Sequence, residues 1–162
     1  MEGIVHVRID DRLIHGQVAV FWTRKLQANR IMVADNTVAV DEIRKGALRM
    51  AAPAGVNTSI LTVNKAAENI LSKRYKGQRV LLVVNSPLVI EELMKAGLDI
   101  KEVNVGNLSL RPGTEQIKKS ISVTQEERES FVRLIEKGII VTANMTPDEV
   151  GNKLEDFLKG QK

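Results

Sequence analysis

Apolar runs of strand length alternate along this chain with longer segments whose apolar residues recur at helical spacing. This pattern predicts βαβ units and a mostly parallel sheet covered on both faces. Ile4 to Ile9 predicts the first strand, and Val18, Phe21, Trp22 and Leu26 predict a helix from about Gly16 to Gln27 with that side turned inward. Strands follow at Ile31 to Ala34 and around Thr58 to Val63. Between them a helix carries Ile43, Ala47 and Met50 on one side and ends before Pro53, with Asn36 or Thr37 able to cap it. A further helix bears Ile70 and Leu71 and stops at the polar run Lys73 to Gly77, which reads as a solvated turn.

Arg79 to Val84 is apolar without alternation after its first residue, the mark of a central strand buried on both faces. Ser86 suits an N-cap and Pro87 a first helical position, so the next helix runs to about Ala96 and Gly97 closes it. Short strands are expected at Val103 to Val105, near Ile121 to Val123, and at Ile139 to Val141. Thr124 to Glu127 and Thr146 to Glu149 both have capping-box spacing and each predicts a helix start. The last helix should turn Val150, Leu154 and Phe157 inward. The whole is about seven strands and six helices. It reads as one α/β domain over residues 1–162, an open mostly parallel sheet with helices on both faces.

Composition changes this picture only by exclusion. Hydrophobic residues make up 43% and charged residues 27%, which fits a folded globular chain and not a disordered one. No apolar stretch is long enough to span a bilayer, and Met1 to Ile4 enters a strand without a signal-peptide pattern, so a cytoplasmic location without direct membrane insertion is expected. The absence of cysteine removes disulfides, thiol nucleophiles and most zinc sites. The 24 basic and 20 acidic residues give a net charge of +4, which favours acidic or phosphorylated partners. Nucleic acid is not an expected partner, because Phe21, Trp22, Phe131 and Phe157 fall at core-facing helical positions and leave little for base stacking.

In an open parallel sheet, ligands bind at the strand C-terminal ends, where neighbouring connections diverge. That edge gathers Asp10 to His15, Asp35-Asn36, Asn85-Ser86 and Gly106-Asn107. His15 stands at the strand-to-helix junction, and its imidazole is a nucleophile at neutral pH. Gly16 permits close approach, and Gly16 with Gln17 opens a helix whose N–H groups and dipole favour an attached anion. Arg12 offers a planar fork for phosphoryl oxygens, or else a salt bridge to Asp10 or Asp11; Asp10 is the candidate that orients it. Paired aspartates could instead ligate magnesium in an aspartyl-dependent hydrolase, but nothing else has ligand spacing, and no metal is expected. Asn36 and Ser86 complete the supporting loops. His6, flanked by Val5 and Val7, reads as a packed sheet residue. No P-loop, GxGxxG or Ser-His-Asp order occurs, so no cofactor is expected. The remaining alternative is a non-enzymatic phosphate-binding regulatory module that uses the same helix N-terminus.

Ile9 to Val18, reading IDDRLIHGQV, closely resembles the active-site signature of the IIB components of the mannose/fructose/sorbose family of the bacterial sugar phosphotransferase system. Val33 to Asn36, Met50 to Pro53 and Val103 to Asn107 resemble further family blocks in family order. The resemblance implies that His15 accepts a phosphoryl group on Nδ1 from phosphorylated IIA and passes it to a sugar held by the membrane components IIC and IID, with Arg12 contacting the phosphoryl group. The chain reads Asp35-Asn36 where many members have the reverse order. Val105 to Leu108 looks more like the amino-sugar branch than the mannose branch.

Overall fold

The computed structural model describes residues 1–159. In chain order the elements are β1 (Ile4–Asp10), α1 (Gly16–Leu26), β2 (Arg30–Ala34), a 3-10 turn (Val38–Val40), α2 (Glu42–Ala51), β3 (Asn57–Leu61) and α3 (Val63–Leu71). Then come β4 (Val80–Val84), α4 (Pro87–Lys95), β5 (Glu102–Asn107), β6 (Glu115–Lys118), β7 (Ile121–Val123), α5 (Gln125–Glu136), β8 (Ile140–Thr142) and α6 (Leu154–Lys159). Six strands form a parallel sheet in the order β3-β2-β4-β1-β5-β8.

Every residue of β4 is buried, as its unbroken apolar run requires of a strand covered on both faces. Because strand side chains alternate, Leu81 and Val83 join Ile31, Val33, Trp22 and Ala19 under α1. Val80, Leu82 and Val84 join Met32, Ile90, Leu93 and Phe131 on the opposite face, under α3, α4 and α5. Thus α1 leaves β1 on one face while α4 leaves the adjacent β4 on the other. The two connections diverge above this strand pair and open the crevice there. No helix among the described residues is long and apolar enough to cross a membrane.

Several local expectations are corrected. Of the about seven strands expected, Ile121 to Val123 lies outside the six-stranded parallel sheet and pairs with β6 in a separate antiparallel hairpin. Strand β6 is illegible as a strand because Glu115, Gln116 and Lys118 surround its single buried residue, Ile117. Thr146 to Glu149 starts no helix. Glu149 accepts hydrogen bonds from Met145 N at 3.1 Å and Lys118 Nζ at 3.2 Å, so its carboxylate serves other partners than a capping box. The chain there bridges back to Thr142 before α6 begins at Leu154, and Val150 is 88% exposed while Leu154 is buried. Asp41 caps α2, and Asn36 and Thr37 do not. The apolar side of α2 faces solvent, with Ile43 86% and Met50 89% exposed, while Leu48 and Ala51 pack inward. Phe21 is likewise exposed; Trp22 is core, its Nε1 donating to Met145 O at 2.9 Å.

Candidate functional site

Alternation along β1 places His6, Arg8 and Asp10 on one face of the strand. The indole of Trp22 lies against this row. The His6 ring stacks on it at 4.7 Å between centroids, and Arg8 Cζ lies 5.1 Å from its centroid. Buried Arg8 donates Nη1 to Asn104 Oδ1 at 2.6 Å and to Asn144 O at 3.2 Å, and Nη2 to Asp10 Oδ2 and Met145 O, both at 3.1 Å. Burial pulls the Arg8 pKa below its ordinary value, opposed by the charge of Asp10. Gly106 makes the arrangement possible, because a Cβ there would overlap the Arg8 guanidinium.

Asp10, buried at the end of β1, accepts from both arginines. Its Oδ1 takes Arg12 N and Arg12 Nε at 3.0 Å, and its Oδ2 takes Arg12 Nη2 at 3.0 Å and Arg8 Nη2. The Arg12–Asp10 pair is therefore bidentate, the geometry that fixes a guanidinium in direction as well as place. Arg12 Nη1 has no partner among the described residues, and the side chain is 27% exposed. Asp10 thus holds the Arg12 guanidinium in place. Every polar contact that Asp10 makes among the described residues comes from Arg8 or Arg12, so its carboxylate is engaged by the two arginines.

The next residue, Asp11, ties this loop to the end of β5. Asp11 N donates to Asn107 O at 3.0 Å, while its carboxylate accepts from Asn107 Nδ2 at 2.9 Å, Ser109 N at 2.7 Å and Ser109 Oγ at 3.0 Å. Leu13 turns the chain with φ of 63°, a left-handed conformation that costs a leucine about 1–2 kcal/mol. Burial of the Leu13 and Ile14 side chains beneath α1 offsets that strain, at about 1.5–3 kcal/mol each.

His15 is the N-cap residue of α1. Its carbonyl accepts Ala19 N at 3.1 Å, but its side chain makes no capping hydrogen bond and is exposed. Gly16, at φ of 28°, and Gln17 are exposed with it, and no acidic residue lies in the first turn. The N–H groups of this turn therefore remain open to an external anion. Side chains cap α2, α3, α4 and α5 instead: Asp41, Thr62, Ser86 and Thr124.

The structure gathers Asp10, Asp11, Arg12, His15, Gly16 and Gln17 at the junction of β1 with α1 and separates Asn36 and Ser86 from them by duty. Asn36 Oδ1 accepts Val63 N at 2.9 Å, and Ser86 Oγ accepts Leu88 N at 3.2 Å, so both hold helix starts. Asp35 joins the loops after β2 and β4, accepting Asn85 Nδ2 at 2.9 Å. Sequence reasoning missed Arg8, Asn104 and Ser109. The available signal for Arg8 was a charge in an otherwise apolar strand, which burial permits only with partners.

The family described as PTS system sorbose subfamily IIB component matches residues 4–162. The fructose-specific EIIB component of Bacillus subtilis (strain 168) is 38% identical over 159 residues, 98% of this chain and 96% of that protein. The mannose-specific EIIAB component of Escherichia coli (strain K12) is 36% identical over 151 residues, which are 93% of this chain and 47% of that protein. Among solved structures, the IIBSor domain of the sorbose permease from Klebsiella pneumoniae aligns over 100% of this chain and 99% of its own, with a TM-score of 0.93 at 28% identity. With the same fold from end to end and the family match spanning almost the whole chain, this protein belongs to the sorbose-subfamily IIB components of the sugar phosphotransferase system.

Proposed function

We propose that His15 accepts a phosphoryl group on Nδ1 from a phosphohistidine of the IIA component and passes it to a sugar held by the membrane components IIC and IID. IIB components of this family are phosphotransferases that work with IIA and IIC/IID partners, so the reaction class follows from the family. The observation that carries the choice of residue is an exposed imidazole, without a hydrogen-bond partner among the described residues, at the open N-terminus of α1. In the first step the donor's N–P bond breaks as the Nδ1–P bond forms, and the proton that His15 gives up passes to the donor imidazole. In the second the Nδ1–P bond breaks as the sugar hydroxyl oxygen takes the group, and the hydroxyl proton passes to the His15 imidazole. Arg12, aimed by Asp10, offers its free Nη1 edge to the phosphoryl oxygens, and the N–H groups of Gly16 and Gln17 face the same charge.

The sugar belongs to the mannose, fructose, sorbose or amino-sugar class. Relatives at 38% and 36% identity are named for fructose and mannose, which draws the reading away from the amino-sugar branch to which Val105 to Leu108 pointed. Incubation with a purified phosphorylated IIA component tests the first step. Acid-labile phosphate should appear on His15 and be absent from His15→Ala; label that persists in His15→Ala refutes the assignment.

A further inference from the structure

The free edge of the sheet carries a second polar concavity, separated from β1 by β2 and β4. A groove of about 540 Å³ runs along β3 and is lined by Arg30, Lys45, Arg49, Lys65 and Arg74, with no aspartate or glutamate in its wall. That volume falls within the range of small-ligand sites. Lys45 and Lys65 pair with Glu42 and Glu68, at 3.4 and 3.3 Å. Arg30, Arg49 and Arg74 pair with no carboxylate among the described residues.

Arg30 differs from an ordinary surface arginine. Nε donates to Gln78 Oε1 and Nη1 to Ser59 Oγ, both at 2.8 Å, and Cζ lies 5.8 Å from the centroid of Tyr75. The ring is itself fixed: Tyr75 is buried and its hydroxyl accepts Asn69 Nδ2 at 3.2 Å. A half-buried guanidinium is thus locked by neutral groups, with Nη2 unused and no counter-charge, although a partly buried charge calls for one. The strand edge adds donors. Asn57 N and Leu61 O bond toward β2, so alternation turns the peptide N–H groups of Thr58 and Ile60 outward along the groove.

We infer that this groove is a non-covalent binding site for a phosphate monoester, with Arg30 as its fixed cation and Nη2 as the donor it presents. Arg49, Arg74 and the two lysines surround the second negative charge. A phosphate dianion answers several cations where a carboxylate would leave most of them unmatched. The basic run Lys73 to Gly77, expected as a solvated turn, thereby gains a role: it buries Tyr75 as the platform and presents Arg74.

Titration of His15→Ala protein with glucose 6-phosphate removes the imidazole, and amide NMR separates shifts at the groove from shifts at the α1 N-terminus. Thr58 and Ile60 should shift saturably, and the double variant Arg49→Gln/Arg74→Gln, altered only at exposed positions, should bind at least about tenfold more weakly. Shifts confined to residues 10–17, or an unchanged affinity in the double variant, overturn the site. A parallel arm uses phosphatidylcholine vesicles containing phosphatidic acid. Sedimentation that the double variant loses, without binding of the free ester, assigns the phosphate to a lipid headgroup. Failure of both arms, or sedimentation equal in both proteins, overturns the site.

Discussion

Asp10 accepts from two guanidiniums at once, and the consequences of removing it differ on its two sides. On the buried side Arg8 loses its charge partner inside the protein, so Asp10→Ala should destabilise the fold by about 3–5 kcal/mol in urea unfolding. On the exposed side Arg12 is released, so the milder Asp10→Asn should slow phosphorylation while the fold survives. A stability loss below about 1 kcal/mol for Asp10→Ala would mean that Arg8 does not depend on it. His6 makes a second residue-scale prediction. Burial, then the positive charge of Arg8, lowers its pKa from 6.5 to about 4, and its Nε2 has no partner. The unfolded chain therefore binds the proton more readily, and stability falls as pH drops through the window from 6.5 to 4, by up to about 3 kcal/mol. His6→Phe should flatten that part of the stability curve; an unchanged curve assigns the acid sensitivity to other groups.

Elements differ in how far the chain announces them. Strands β2 and β4 were legible because burial on both faces demands nearly unbroken apolar runs, β1, β5 and β8 because valine and isoleucine recur in them at strand spacing, and α4 and α5 because Ser86-Pro87 and Thr124/Glu127 act locally. Strand β6 was not, since its pairing with β7 needs only one buried side chain, and the Thr146 box failed because distant Lys118 and Met145 N claim Glu149. The candidate site divides in the same way. His15, Arg12 and Asp10 sit on one loop and were readable from spacing, whereas Arg8, Asn104 and Ser109 are joined to it only by tertiary contacts. Helices α1 and α2 give a test of burial against pattern. Trp22→Ala should cost about 3–5 kcal/mol. Ile43→Ser and Met50→Ser, on the solvent side of α2, should each stay within about 0.5 kcal/mol in thermal unfolding.

At the scale of the whole molecule, strand order decides where chemistry is exposed. Because α1 and α4 depart from adjacent strands to opposite faces, the β1 loop stands open above the sheet, anchored by Leu13 and Ile14 below and by Asp11 to β5. The chain leading to His15 is held by Asp10, Asp11, Leu13 and Ile14, while the His15 side chain makes no hydrogen bond among the described residues, an arrangement suited to the proposed relay. The most direct test of that relay is a chase. Protein phosphorylated on His15 and freed of donor is mixed with membrane vesicles carrying the IIC and IID components and sugar. Label should leave His15 as sugar phosphate appears in equal amount; label that remains on the protein, or is released as inorganic phosphate without sugar phosphate, refutes the relay.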